Sequence, residues 1–183
     1  MRVVAGKAKG RRLNPVPGDI VRPITDRAKE SLFNILRPDL PGCAFLDLFA
    51  GTGSVGIEAL SQGAEFARFI DRYRPSIQII QQNLLLTGLE EGAEVLMMSA
   101  FELLAKTPDR AFDYVYIAPP QYKNMWRVAL QNLDQNPSWV VEDGWVVVQI
   151  DPTEYDTLEL KNFSEFDQRK YGSVFFVFYE REP

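Results

Sequence analysis

The chain has 183 residues, 46% of them hydrophobic and 25% charged, with a formal net charge of −5. These values lie inside the globular range and outside the disordered, collagenous and membrane classes. Histidine is absent and cysteine occurs once, at Cys43, which excludes Ser-His-Asp and Cys-His nucleophiles, imidazole bases, most zinc sites and disulfides. No apolar run approaches the ~18 residues needed to cross a bilayer, and no secretory h-region opens the chain. A soluble, cytoplasmic single domain over 1–183 is expected, with a basic segment over 1–40, a core over 41–183 and Cys43 as a small buried residue.

In chain order, residues 1–5 and 10–13 flank Gly6-Lys7-Ala8-Lys9-Gly10 and read as a small hairpin. Thr25 is placed to N-cap a helix running to about Leu36, with Ala28, Leu32, Ile35 and Leu36 on one face. Pro38 and Pro41 stop it. From residue 44 strands and helices alternate. The spacing predicts strands over Phe45–Leu48, Phe66–Asp71, Glu94–Met98, Tyr114–Ile117 and Gly144–Ile150. Helices are predicted between them over Ser54–Gln62, Pro75–Thr87, Phe101–Ala105 and Met125–Leu133, with Gly88 ending the second. That alternation implies a parallel sheet covered on both faces. The tail departs from it, because Phe163–Tyr171 and Ser173–Tyr179 read as an antiparallel pair turning at Tyr171-Gly172-Ser173.

Charge is unevenly placed. The first forty residues hold nine Lys/Arg and four acids, a local +5 that leaves −10 on the remainder. A basic arm on an acidic body attracts phosphate to one surface, while a plain reading is a solvated edge that resists aggregation. Lys7, Lys9, Arg11 and Arg12 are the candidates for RNA contact.

Asp47-Leu-Phe-Ala-Gly-Thr-Gly-Ser-Val-Gly56 follows a strand and opens a helix. Gly51 to Gly56 satisfy G-x-G-x-x-G, and Asp71 lies twenty residues after Gly51 at a strand end, as a ribose-binding acid would. Asp47 discriminates between cofactors. A pyrophosphate at this helix start would meet its carboxylate at a cost of about 1–4 kcal/mol at ~4 Å. S-adenosylmethionine carries no phosphate, and its ammonium and sulfonium suit Asp47 while its ribose suits Asp71. A NAD enzyme would also need a substrate domain that 183 residues do not supply.

These residues resemble the RsmD family, class I methyltransferases that modify guanine N2 of bacterial 16S ribosomal RNA. The likeness runs through Arg2-Val-Val-Ala-Gly-Lys7, Lys9-Gly-Arg-Arg-Leu13 and Arg22-Pro-Ile-Thr-Asp-Arg-Ala-Lys-Glu-Ser-Leu-Phe-Asn-Ile-Leu36. It continues through Leu46-Asp-Leu-Phe-Ala-Gly-Thr-Gly53, Gly56-Ile-Glu-Ala-Leu-Ser61, Phe112-Asp113 and Tyr171-Gly172. The resemblance implies a Rossmann-like three-layer α/β sandwich, its seven-stranded, mostly parallel sheet closed by the antiparallel hairpin. It implies S-adenosyl-L-methionine as cofactor, held by Arg22, Thr25, Asp47, Phe49, Gly51, Thr52, Gly53, Asp71, Arg72, Ser99 and Ala100. It adds Arg27 to the RNA-binding arm. The implied partner is 16S rRNA or a small-subunit assembly intermediate, bound by a monomer that needs neither metal nor membrane.

Two positions depart from the family pattern. The family's Asp/Asn-Pro-Pro-Tyr catalytic motif here reads Ala118-Pro119-Pro120-Gln121-Tyr122, and a common Asp-Ala that contacts adenine reads Ser99-Ala100. An exocyclic amine is a poor nucleophile until its two N–H groups are accepted and its lone pair is aimed. Losing one charged hydrogen bond costs about 1.5–3 kcal/mol, roughly 10- to 100-fold in rate. The Pro119 carbonyl remains, and the Gln121 amide or a water is the replacement for the other acceptor. Tyr122 and Trp126 are either stacking platforms for a flipped base or, for Trp126 with Met125, Ala129, Leu130 and Leu133, core. The expected activity is amine methylation on RNA. Two alternatives stay open: a catalytically weakened relative that binds RNA or assembling ribosomal particles, and an amine methyltransferase acting on DNA adenine or another substrate.

Overall fold

The computed structural model describes residues 1–18 and 24–183, and in it the predicted alternation forms one seven-stranded sheet. Its strands are β1 (Ala44–Asp47), β2 (Phe66–Asp71), β3 (Ala93–Met97), β4 (Phe112–Ile117), β5 (Val140–Ile150), β6 (Phe163–Tyr171) and β7 (Val174–Arg181). Their order across the sheet is β3-β2-β1-β4-β5-β7-β6. Strands β1 to β5 pair in parallel, and β7 inserts antiparallel between β5 and β6. This is the mixed sheet that the resemblance implies.

The helices are α1 (Asp26–Leu36), α2 (Ser54–Ser61), α3 (Arg74–Thr87), α4 (Ala100–Leu104) and α5 (Met125–Gln135). Successive strand side chains point to opposite faces, so each strand feeds two cores. Phe45, Tyr114, Tyr116, Val147 and Phe178 meet α1, α2 and α3 on one face. Leu46, Val115, Val146, Val148 and Val177 meet α4 and α5 on the other. Burial on both faces explains why β4 and β5 read as nearly continuous apolar runs. On α5, Trp126, Ala129, Leu130 and Leu133 form the buried stripe, and Trp126 is fully enclosed. Trp126 is therefore core, and of the two candidate platforms Tyr122, 69% exposed, keeps a ring open to solvent. Cys43 is buried as expected. No described helix is long and apolar enough to cross a membrane.

Two strands begin earlier than predicted. β4 and β5 begin at Phe112 and Val140, earlier than Tyr114 and Gly144, with a bulge between Phe112 and Tyr114. Asp113, Glu142 and Asp143 interrupt the apolar pattern there. Asp113 is tolerated because its Oδ2 accepts the Ala44 N–H at 2.7 Å. The N-terminal hairpin forms around the antiparallel bridge Arg2 to Arg12, with Val3 N–H donating to Arg11 O at 3.0 Å, Gly10 N–H to Val3 O at 2.9 Å and Leu13 N–H to Met1 O at 3.2 Å. The backbone of this segment also bonds to α2. The Val4 and Ala5 N–H groups reach the Glu58 carboxylate at 2.9 and 3.0 Å. Lys7 N–H donates to Ser61 O at 2.8 Å and Ala8 N–H to Ser61 Oγ at 2.9 Å. Gly6 makes this approach feasible: with φ +81°, a Cβ there would lie 1.8 Å from Ser61 O.

Candidate active site

The C-terminal ends of β1, β2 and β4 open onto loops along one edge of the sheet. The loop after β1 turns through Gly51 (φ 56°) and Gly53 (φ 78°), a backbone region that favours glycine. It closes with Gly53 N–H on Ala50 O at 2.7 Å before α2 starts. A Cβ on Gly53 would press Ile57 and Ile80 at 3.3 Å, so both conformation and space require glycine.

Asp47 ends β1 and is 1% exposed. Its Oδ1 meets no hydrogen-bond partner among the described residues. Burial pushes its carboxyl up to about 7. The Gly56 amide offsets part of this, the nearby Asp71 charge adds to it, and the Phe49 amide offsets a little more. A buried carboxyl with an unsatisfied oxygen is costly, and a ligand cation would relieve it. The residues present thus fit a donor carrying an ammonium beside the glycine loop. Asp71, at the end of β2, accepts Gly51 N–H on Oδ2 at 2.9 Å and Tyr73 N–H on Oδ1 at 2.8 Å. It braces the glycine loop as well as facing the site, a role that sequence spacing alone does not reveal. Each oxygen keeps a lone pair for a ribose hydroxyl.

Buried polar groups lock the glycine loop from below. Lys29 Nζ lies 3.1 Å from Glu58 Oε2, both side chains fully buried, and donates to Ser54 Oγ at 2.9 Å and Arg2 O at 2.6 Å. Burial lowers the Lys29 pKa, and the charge and hydrogen bond of Glu58 oppose that shift. Lys29 contributes to the positive balance of the first forty residues, yet it is an internal cross-link and offers nothing to phosphate. Asn83, also fully buried, donates to Thr52 O at 2.9 Å and Asn14 O at 3.1 Å and accepts Asn14 N–H at 2.7 Å.

Of the other residues expected to hold the donor, Arg22 lies outside the described residues. Thr25 caps α1, its Oγ1 accepting Ala28 N–H at 3.2 Å. Ser99 caps α4, accepting Phe101 N–H at 3.2 Å while Glu102 accepts Ser99 N–H at 3.1 Å. The Ser-x-x-Glu spacing signals this capping box. Both hydroxyls thus accept at helix starts, and each keeps its O–H to donate. Phe49 packs edge-on against Phe101, ring centroids 6.2 Å apart, bringing Ala100 and its helix to the glycine loop. Arg72 is exposed beside Asp71.

The loop after β4 carries Ala118, Pro119, Pro120, Gln121 and Tyr122. Ala118 packs against the α1–α3 core, and its methyl group brings no acceptor to the site. Tyr122 has φ 60°, and its N–H donates to Glu154 Oε1 at 2.7 Å. Thr153, through its hydroxyl and then its amide, holds the Asp151 carboxyl below the usual range, and the Tyr122 hydroxyl adds to this. Lys7, Lys9, Arg11, Arg12 and Arg27 are all exposed. Two concavities of about 470 and 450 Å³ lie elsewhere, one beside Pro108 and Asn136 and one between α3 and β3. Neither includes a residue of the two loops, so loop geometry and the stranded carboxylate define this site.

Residues 1–180 match the family model described as Conserved hypothetical protein 95. Two relatives, both the ribosomal RNA small subunit methyltransferase D, are 32% identical. The one from Escherichia coli K12 aligns over 100% of this chain and 90% of its own, and the one from Haemophilus influenzae over 98% and 93%. The chain belongs to the RsmD family. The solved structure of Escherichia coli yhhF superposes with a TM-score of 0.88 at 31% identity, covering 100% of this chain and 98% of that one. The RsmD-family chain therefore has the α/β methyltransferase fold, and its Ala118 stands at the end of β4 within that fold.

Proposed function

We propose that this protein transfers a methyl group from S-adenosylmethionine to an exocyclic amine of ribosomal RNA, specifically guanine N2 of 16S rRNA in the small subunit or its assembly intermediate. The observation that carries the reading is Asp47, a buried carboxyl with its Oδ1 left without a partner among the described residues, at the glycine loop and near Asp71. The family relatives support rRNA as substrate, and the exposed arm Lys7, Lys9, Arg11, Arg12 and Arg27 supports a phosphate backbone as partner. When bound, S-adenosylmethionine supplies a methyl carbon on a sulfonium, which the amine lone pair takes as the C–S bond breaks with its electron pair left on sulfur.

This chain's residues do the positioning. Asp47 holds the ammonium, Asp71 the ribose hydroxyls, and Gly51, Thr52 and Gly53 admit the donor to close backbone approach. The Pro119 carbonyl accepts one amine N–H. Alignment of donor and acceptor carries much of such a rate, and the proton passes to water after transfer, so no histidine is needed. Calorimetry with S-adenosylhomocysteine, followed by mass spectrometry of 16S rRNA incubated with protein and S-adenosylmethionine, tests the reading. Tight binding and one new N2-methylguanosine are expected. Binding of both ligands without transfer would favour the RNA-binding alternative that Ala118 supports.

A further inference from the structure

β4 and β5 run parallel with Ile117 opposite Val148. The next pair along the two strands is therefore Ala118 and Gln149, side by side at the edge where the loops open. Strand alternation puts Tyr116, Ala118 and Gln149 on the face that carries the α1–α3 core, in keeping with the packing of Tyr116, Ala118 and Val147 in that core. Asp47 joins them, since it pairs directly with Tyr116 across β1 and β4.

The Tyr116 hydroxyl donates to Gln149 Oε1. Tyr116 is 2% exposed, whereas Gln149 is half-open to solvent. Burial and the Asp47 charge keep the phenol protonated far above neutrality, so it remains a donor. A carboxamide anchored by a buried phenol thus stands next to the position where the motif acid is missing. Its oxygen has two lone pairs; Tyr116 takes one, and the other is available to an N–H. Gln121, the other candidate, sits in the loop beside Tyr122 at φ 60°, and no hydrogen bond among the described residues orients its amide.

We propose that Gln149, held by Tyr116, is the catalytic residue that accepts the substrate amine's N–H in place of the acid absent at Ala118. The inference rests on the amine-methylation reading above. In the transfer the amine nitrogen forms its bond to the methyl carbon as the C–S bond breaks and the electron pair stays on sulfur. Both amine protons remain on nitrogen until then, and one passes to water. Gln149 takes no proton. It aims the lone pair and stabilises the positive charge growing on nitrogen, and such a hydrogen bond is worth about 10- to 100-fold in rate.

The test measures kcat for methyl transfer to 16S rRNA, with S-adenosylhomocysteine affinity and thermal melting as controls. Gln149→Ala should lower kcat about 10- to 100-fold, with cofactor affinity unchanged. Tyr116→Phe should lower it less, because the carboxamide stays but loses its anchor. Adding Ala118→Asp to Gln149→Ala should restore most of the loss by returning an acceptor from the neighbouring strand. A loss that Ala118→Asp does not restore would mark Gln149 as packing and overturn the assignment. So would a neutral Gln149→Ala alongside a damaging Gln121→Ala. These outcomes leave the methylation reading intact, whereas no transfer by the unaltered protein overturns both.

Discussion

The glycine loop after β1 and the proline loop after β4 leave adjacent strands at the same edge of the sheet, yet they are held in opposite ways. The glycine loop is fixed from several sides: Asp71 holds the Gly51 N–H, Asn83 holds the Thr52 carbonyl, and the enclosed Lys29–Glu58 pair holds Ser54 at the start of α2. The proline loop carries an exposed Tyr122 whose N–H is fastened to Glu154 beyond β5. A donor common to many reactions rewards a rigid seat, because alignment of the methyl carbon tolerates little error. An acceptor side formed by strand ends tolerates more, since a neighbouring strand can present a group where one is missing. On the proposed reading, that difference fits a glycine loop that keeps the family pattern beside a motif with Ala118 in place of its acid.

The largest effect is expected from breaking the donor side at its ion pair. Lys29→Met leaves Glu58 buried and unpaired, a loss of about 3–5 kcal/mol, or roughly 10 °C or more in Tm. Thermal melting should show it, with early protease cleavage in residues 1–16 as the arm detaches. Adding Glu58→Gln should recover only part, because Glu58 also accepts the Val4 and Ala5 N–H groups.

Asp47→Asn sharpens the comparison by separating stability from function. The folded Asp47 titrates at about 7, above its ordinary value of 3.8, so the folded state retains its proton over that window. Its contribution is fully present below about pH 4 and is lost as pH rises through 7. The Asn variant should therefore gain stability on the wild type between pH 4 and 7, reaching a few kcal/mol by pH 8. Denaturant melts at pH 4, 6 and 8 measure this. The same variant should lose S-adenosylhomocysteine affinity, and wild-type affinity should rise as pH climbs from 5 to 7.

A smaller effect is expected from replacing Lys7, Lys9, Arg11 and Arg12 together with Ala. Every phosphate that is no longer neutralised should take ~0.7–0.9 from the slope of log affinity against log salt. Filter binding of 16S rRNA at several salt concentrations reads the slope, and cofactor affinity should not change. An unchanged slope would leave the arm as a clamp on α2 only. The smallest effect belongs to the acceptor loop: Glu154→Ala removes the exposed bond from Tyr122 N–H and the long capping bond from Asp151 N–H, together about 1 kcal/mol. It should raise KM for rRNA a few-fold, with Tm nearly unmoved.

What the chain determines locally is legible in its residues. Thr25 caps α1, Gly88 ends α3, β2 and β6 have their predicted bounds, and the glycine loop joins a strand to a helix. Capping, helix period and the backbone freedom of glycine act within about four residues, so sequence spacing expresses them directly. What depends on register between distant segments is decided only by the fold. In the sequence Lys29 reads as one more cation of the basic segment until α1 and α2 enclose it against Glu58, and Asp71 reads as a ribose acceptor alone until the β1–β2 pairing brings it to the Gly51 N–H. The hairpin expected at the N-terminus forms, but only the fold seats Val4, Ala5 and Ala8 on Glu58 and Ser61 of α2. Tyr116 and Gln149 lie 33 residues apart, and no local pattern links them. They meet because β4 and β5 pair in one register, and shifting it by a single residue would turn one of the two to the opposite face.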